Sequence, residues 1–202
     1  MTGIINGTLS DPAFAARCAD PMYRLRYRVF FERLGWDVKV ANGREIDEFD
    51  DDRNVYQLAT DGRGDIIGGW RLRPTTLPYM MKDVFPQLLG GTPAPVRPDI
   101  WEISRFAVDE ERADQPGFGF NDTARALVRH AIQYAVHHDI GRYVMVVSVA
   151  VERLLANTGM VLHRFGPPQR IGRVRSVACF LDIDAHTRHV ILGTPLHLKQ
   201  AA

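Results

Sequence analysis

The chain has 202 residues, 46% hydrophobic and 24% charged, with a formal net charge of +1. That leaves room for one sizeable core and argues against a dedicated nucleic-acid binder, which carries a basic excess. Two cysteines, Cys18 and Cys179, are too few for a disulfide scaffold or a zinc site.

No apolar run approaches the roughly 18 residues of a membrane span. The opening Met-Thr-Gly-Ile-Ile-Asn-Gly has no basic start or long apolar region of a secretory signal, so a cytoplasmic protein is expected. A helix is predicted over residues 22–34, with Asp20 as N-cap, Pro21 in its first turn, an apolar stripe of Leu25, Val29, Phe30 and Phe31, and Gly35 as its stop. Residues 45–52 follow as a loop with six acids in eight positions. Residues 55–60 and 66–73 read as strands joined at the Gly62–Gly64 turn into a hairpin. The proline- and glycine-rich stretch 74–98 reads as loop, with a short helix at most near 80–89, and a strand is predicted over 101–108.

Asn121 and Asp122 can cap a helix reaching about residue 138, with Ala126, Leu127, His130, Ala131, Tyr134 and Ala135 on one face. A strand at 143–148, a helix at 151–157 ended by Gly159, and strands at 174–183 and 189–192 complete the pattern. Mixed strands around a long helix predict an α/β (α+β) sandwich, with no repeat or linker marking a second domain. Residues 1–202 are therefore expected to form one domain. A second charge block, Arg164, Arg170, Arg173 and Arg175 without an acid among them, balances the acidic loop.

Several chemistries find no match. There is no Gly-x-Ser-x-Gly elbow, no Gly-x-x-x-x-Gly-Lys phosphate loop and no metal-ligand spacing, so no metal is expected; His130 and His137 read as helix-face residues. Four features remain. Arg26 and Phe30 share a helix face, with Trp36 six residues on. Asp47 and Asp50 could hold an ammonium or sulfonium cation, or could be a solvated loop. Arg71 and Arg73 share one strand face and could anchor those acids or an anionic ligand. In the segment Trp-Glu-Ile-Ser-Arg-Phe-Ala-Val, alternation would put Glu102, Ser104 and Phe106 on one side and Arg105 on the other. A half-buried carboxylate beside a ring can become a general base; the alternative is a surface acid and an ion-pairing arginine.

Taken in order, Arg26-x3-Phe30-x5-Trp36, Glu45-x-Asp47-x2-Asp50, Arg71-Leu-x-Pro-Thr and Glu102-x-Ser104-Arg105 resemble the acyl-homoserine lactone synthases, the LuxI-type autoinducer synthases of quorum sensing. The resemblance spans the N-terminal half and continues weakly through Val147-Ser148 and residues 154–159. It implies a mixed, splayed sheet similar to that of the GCN5-related N-acetyltransferases. It also implies S-adenosylmethionine as a substrate, with no cofactor, and an acyl group delivered as a thioester on acyl carrier protein. Arg26, Phe30, Trp36, Asp47, Asp50 and Arg71 would then shape the S-adenosylmethionine site, some by holding it together, and Phe85 and Phe106 would line it. Glu102 would take a proton from the substrate amine, with Ser104 and Arg105 positioning it.

The acyl pocket would fall in the C-terminal half, on Met145, Val147, Ser148, Val149 and Leu155. Family members making 3-oxo products often carry Thr or Ser at the position of Met145, so an unsubstituted chain of medium length is expected. Acyl carrier proteins are acidic, which makes Arg164, Arg170, Arg173 and Arg175, with Arg142 and Arg153, a docking patch. Two rival readings stay open: an acetyl-CoA-dependent acetyltransferase, whose phosphate loop Gln115-Pro116-Gly117-Phe118-Gly119 matches with one residue too few, and a sensor that binds S-adenosylmethionine without turnover.

Overall fold

The computed structural model describes residues 2–109 and 121–195, so Gln115 to Gly119 lie outside it. Strand β1 (Gly3–Gly7) leads into helix α1 (Pro12–Arg26), which widens into a π-type turn over Tyr27–Arg33. The helix starts ten residues before the expected 22. Asp11, not Asp20, is the N-cap, accepting from the Ala13 and Phe14 amides, with Pro12 in the first turn. Pro21 sits inside the helix on its exposed face, where water can reach the carbonyl it leaves unbonded. Asp20 instead pairs with Arg24 and Arg44.

A small ribbon of β2 (Val40–Ala41) and β3 (Arg44–Glu45) precedes the acidic loop. The hairpin is β4 (Val55–Thr60) and β5 (Ile66–Pro74), near its predicted bounds. The 74–98 stretch carries the four-residue helix α2 (Met80–Asp83) and a 3-10 turn over Pro86–Leu89. Then come β6 (Ile100–Val108), α3 (Asp122–His137), β7 (Arg142–Ser148), α4 (Val149–Ala156), β8 (Leu162–Arg164), β9 (Gln169–Ile171), β10 (Val174–Asp182) and α5 (Ala185–Leu192). Asn121 caps α3 as predicted. Residues 189–192 are helix rather than strand: Asp184 caps α5 and Gly193, at φ 73°, ends it.

The strands form one sheet in the order β1-β4-β5-β6-β7-β10-β8, with β9 beside β10. Every neighbouring pair in it is antiparallel except β6–β7. That parallel pair is joined only from Ile100–Arg142 to Glu102–Val144, although the strands have nine and seven residues. Beyond Glu102 the sheet splays open.

Helix α1 covers one face through Phe14, Cys18, Met22 and Leu25, packed on Tyr56, Leu58 and Ala107. The other face meets α3, where Leu127, Val128, Ala131 and Ile132 pack with Trp70, Leu72 and Met145. A third cluster, Tyr79, Met81, Leu88, Ile100, Val144 and Ala178, fixes the 74–98 stretch against β6 and β7. These three packings hold the ends of β5 and β6 still.

Candidate active site

Alternation along β6 is interrupted. Arg71 pairs with Ser104 but Gly69 pairs with Ala107, so Trp70 faces two residues, and Arg105 takes a left-handed backbone at φ 57°. This bulge changes the predicted faces. Arg105 swings onto the side of Ser104 and Glu102, while Phe106 goes to the opposite face and packs on Trp70 at 5.7 Å. The face expected to unite Glu102, Ser104 and Phe106 therefore contains Arg105 in place of Phe106.

On that side three arginines meet three acids. Arg26 binds Asp50 through both terminal nitrogens at 2.8 Å and Glu45 through Nε at 2.5 Å. Arg71 reaches Asp47 Oδ1 at 2.6 Å and Asp50 Oδ1 at 2.9 Å, and its Nε donates to Ser104 Oγ at 3.2 Å. Arg105 closes the cluster on Glu45 at 2.9 Å and Asp47 at 2.8 Å. Tyr56 adds its hydroxyl to Asp50 at 2.9 Å. The formal charges cancel, which is the condition for burying so many ions at once.

Asp47 and Asp50 thus hold arginines, the anchoring that the sequence allowed for Arg71, and are not a solvated loop. A cavity beside Arg26, Tyr56, Trp70 and Arg105 measures only about 10 Å³, room for a single water.

Aromatic rings flank the network. Phe30 is buried and stacks with the more exposed Trp36 at 5.2 Å, and the Arg105 guanidinium lies 5.6 Å from the Phe30 ring. The Arg26–Phe30–Trp36 group predicted from sequence is therefore assembled in one place. Phe85 packs against the third cluster, on the Glu102 side of β6.

Glu102 is 1% exposed. Its Oε1 accepts from the Met81 amide at 2.7 Å and its Oε2 from the Met80 amide at 3.1 Å, so the carboxylate caps α2. Burial pushes Glu102 up to about 7, only partly offset by the Met81 amide, Arg71, the Met80 amide and Arg105. Burial also acts on Asp50, but there Arg26 and Arg71 outweigh it and hold the carboxyl well below its usual range. One acid is poised to exchange a proton near neutrality; the other stays ionised.

The sequence reading did not single out the Met80 and Met81 amides, Tyr56, or the Met80 sulfur, which Arg105 Nη1 meets at 3.1 Å. Backbone donors leave no residue signature; the only hint was a short helix expected to begin at residue 80.

The other predicted residues lie in the C-terminal half. Met145 is buried in the α3-side core, with Val147 and Leu155 packed against it beside the splay. Ser148 is the N-cap of α4, accepting from the Val151 amide at 3.1 Å, and Val149 is that helix's first residue. Of the basic residues, Arg164 is held by Glu152 in a two-pronged pair at 2.6 Å and Arg142 by Asp182 at 2.7 Å. Arg153, Arg170, Arg173 and Arg175 are exposed.

A putative N-acetyltransferase from Lactobacillus plantarum superposes at a TM-score of 0.61 with 15% identity, over 91% of this chain and 99% of that one, which shows a shared fold. The autoinducer synthase family model matches residues 14–191. The acyl-homoserine-lactone synthase of Pseudomonas aeruginosa is 37% identical over 182 residues, covering 89% of this chain and 90% of that one. That of Ralstonia nicotianae is 40% identical over 172 residues, 84% of each. The solved structure of the AHL synthase LasI superposes at a TM-score of 0.87, with 36% identity over 99% of both chains. A CoA-dependent acyl-homoserine lactone synthase, BjaI, solved with SAM and isopentyl-CoA, matches at 0.83 with 29% identity, over 96% of this chain and 91% of that one. The chain belongs to the autoinducer synthase family, the acyltransferases that make acyl-homoserine-lactone signals, and it is an enzyme of that acyltransferase class.

Proposed function

We propose that this enzyme acylates the amine of S-adenosylmethionine from a medium-chain acyl thioester carried on acyl carrier protein, then closes the lactone. The observation that carries this reading is Glu102, a buried carboxylate with a pKa near 7 at the edge of the splay. An α-ammonium is not a nucleophile until it loses a proton, and a base of this strength can take it at neutral pH. The freed amine attacks the thioester carbon, the C–N bond forms, and the thiol leaves with the C–S electrons. Beyond Glu102 the β7-facing edge of β6 has no strand partner in the register, and a backbone N–H there is a suitable donor to the tetrahedral oxyanion. The methionine carboxylate then displaces the sulfonium at the γ-carbon, releasing 5′-methylthioadenosine. This second step needs positioning more than a proton carrier.

The substrate sits over the Phe30–Trp36 shelf and the arginine network, with Ser104, Arg105 and Phe85 at its edge. Its acyl chain enters the splay toward Met145, Val147, Val149 and Leu155. Methionine at 145 offers no hydroxyl to a 3-oxo group, which favours an unsubstituted chain. For the carrier, Arg164 and Arg142 are neutralised by local acids, so Arg153, Arg170, Arg173 and Arg175 are the positions for an acidic partner. One domain, working in the cytoplasm, does all of this; among the described residues no helix is long and apolar enough to cross a membrane.

Because BjaI is CoA-dependent, the test compares carriers. Purified enzyme is incubated with S-adenosylmethionine and octanoyl-acyl carrier protein, octanoyl-CoA or 3-oxo-octanoyl-acyl carrier protein, and lactone and methylthioadenosine are followed by mass spectrometry. Faster turnover with plain octanoyl-acyl carrier protein is expected. Preference for the CoA thioester would overturn the carrier assignment, and preference for the 3-oxo chain would overturn the inference from Met145.

A further inference from the structure

The second arginine of the 71–73 pair takes no part in the network above. Arg73 is 1% exposed and is the direct cross-strand neighbour of Glu102. Its guanidinium turns away from that carboxylate and spends its donors elsewhere. Nη1 and Nη2 bind Asp51 at 2.9 and 3.0 Å, Nη1 also meets Asn54 Oδ1 at 2.8 Å and the Phe49 carbonyl at 3.2 Å, and Nε donates to the Pro78 carbonyl at 2.5 Å. Two of these partners, Phe49 and Asp51, belong to the acidic loop, and Asn54 lies two residues past its end. The fourth, Pro78, lies two residues before Met80. A rigid guanidinium fork therefore ties the loop that supplies Asp47 and Asp50 to the segment whose amides seat Glu102.

We propose that Arg73 is a positioning residue for Glu102: it fixes Pro78 against the acidic loop and so keeps the Met80 and Met81 amides on the carboxylate. The segment's other polar anchors are the Tyr79 hydroxyl on the Pro95 carbonyl at 2.7 Å, the Tyr79 amide on Asp83 at 2.9 Å and the Met80 sulfur on Arg105 Nη1 at 3.1 Å. The Tyr79 contacts do not reach the acidic loop, and Arg105 links it only to the tip of the Met80 side chain, so among these bonds Arg73 alone ties the segment's backbone to that loop. The charged and titratable groups that act with Glu102 are Arg71 and Arg105 from the strands and Tyr79 from the α2 segment, and Tyr79 in turn faces Asp83. Arg73 acts on Glu102 through the amides, not by its own charge. The inference rests on the reading of Glu102 as the base.

The test is Arg73→Met, with two readouts. Hydrogen exchange at the Met80 and Met81 amides should rise about tenfold or more as their segment loosens. In the kcat profile, the acidic limb should move to higher pH, since amide donation favours the ionised carboxylate and its loss raises the pKa. The KM for S-adenosylmethionine should stay within about twofold while kcat falls about tenfold. Arg73→Lys, which cannot reproduce the fork, should fall between. If Arg73→Met does not fold, Asp51→Asn, at the rim of the same bridge, should shift both readouts in the same direction by less. Unchanged exchange, or an unmoved acidic limb in folded variant, overturns the positioning role. Normal turnover by Glu102→Gln would instead overturn the base assignment and leave the exchange test standing.

Discussion

Asp50 and Glu102 sit in neighbouring regions of one site, both buried, and their environments push them in opposite directions. Asp50 accepts from Arg26, Arg71 and Tyr56, so it remains charged throughout the physiological range. Glu102 accepts two backbone amides, with Arg71 and Arg105 acting on it through space, and burial keeps its pKa near 7. A carboxylate becomes a scaffold when its countercharges touch it and a base when they are held slightly away. The arginines therefore do two jobs. They pair off Glu45, Asp47 and Asp50 in full and temper Glu102 only in part.

The largest effect should come from breaking the scaffold. Asp50→Asn leaves Arg26 and Arg71 short of a buried countercharge and should cost about 3–5 kcal/mol, read as a lower chemical-denaturation midpoint with loss of turnover. Stability should also fall in acid for the same reason. The Asp50 and Asp51 carboxyls are held low, Asp51 at about 2, so their contribution is present above the ordinary carboxylate range and lost as pH drops through the folded values.

Glu102→Gln separates the two regions most sharply. Turnover should fall about 10²- to 10⁴-fold. Stability should hold or improve above neutral pH, because a raised pKa means that ionising Glu102 costs the folded state more as pH climbs. A variant that lost activity by unfolding would contradict this contrast, and so would one that kept its rate. A smaller effect belongs to the exposed rim. Arg170→Glu with Arg173→Glu should raise the KM for acyl carrier protein about tenfold at low salt and less at high salt, leaving the KM for S-adenosylmethionine unchanged. An unchanged carrier KM would remove these two residues from the docking surface.

Much of the scaffold was legible because it is written in side chains. Arg26, Arg71 and Arg105 meet Glu45, Asp47 and Asp50 in one cluster beside Phe30 and Trp36, while Arg73 turns to Asp51, and the 55–60 and 66–73 hairpin forms near its predicted bounds. What escaped was written in the backbone. An arginine at φ 57° has no residue code, so the bulge that exchanges Arg105 for Phe106 on the site face could not be read from alternation. The amides that seat Glu102 are equally silent.

Two errors had readable alternatives. Asp11-Pro12 and Asp20-Pro21 offer the same helix-start signal, and the earlier pair wins because Phe14 and Cys18 extend the buried stripe. At 189–192 the apolar residues suggested a strand, but Asp184 and Gly193 bracket a helix of two turns. The Glu102 environment is a tertiary property: its neighbours in sequence could not reveal how deeply the 74–98 stretch would bury it.

The difference between the two carboxylates can be measured directly by a carboxyl-carbon NMR titration of Glu102 in the free enzyme, with Glu102→Gln assigning the signal. A midpoint of about 7 is predicted, with Glu102 changing charge across neutrality while Asp50 stays ionised. A midpoint near the ordinary 4.5 would mean that burial does not set its proton affinity, and would contradict its assignment as a base tuned to work at neutral pH.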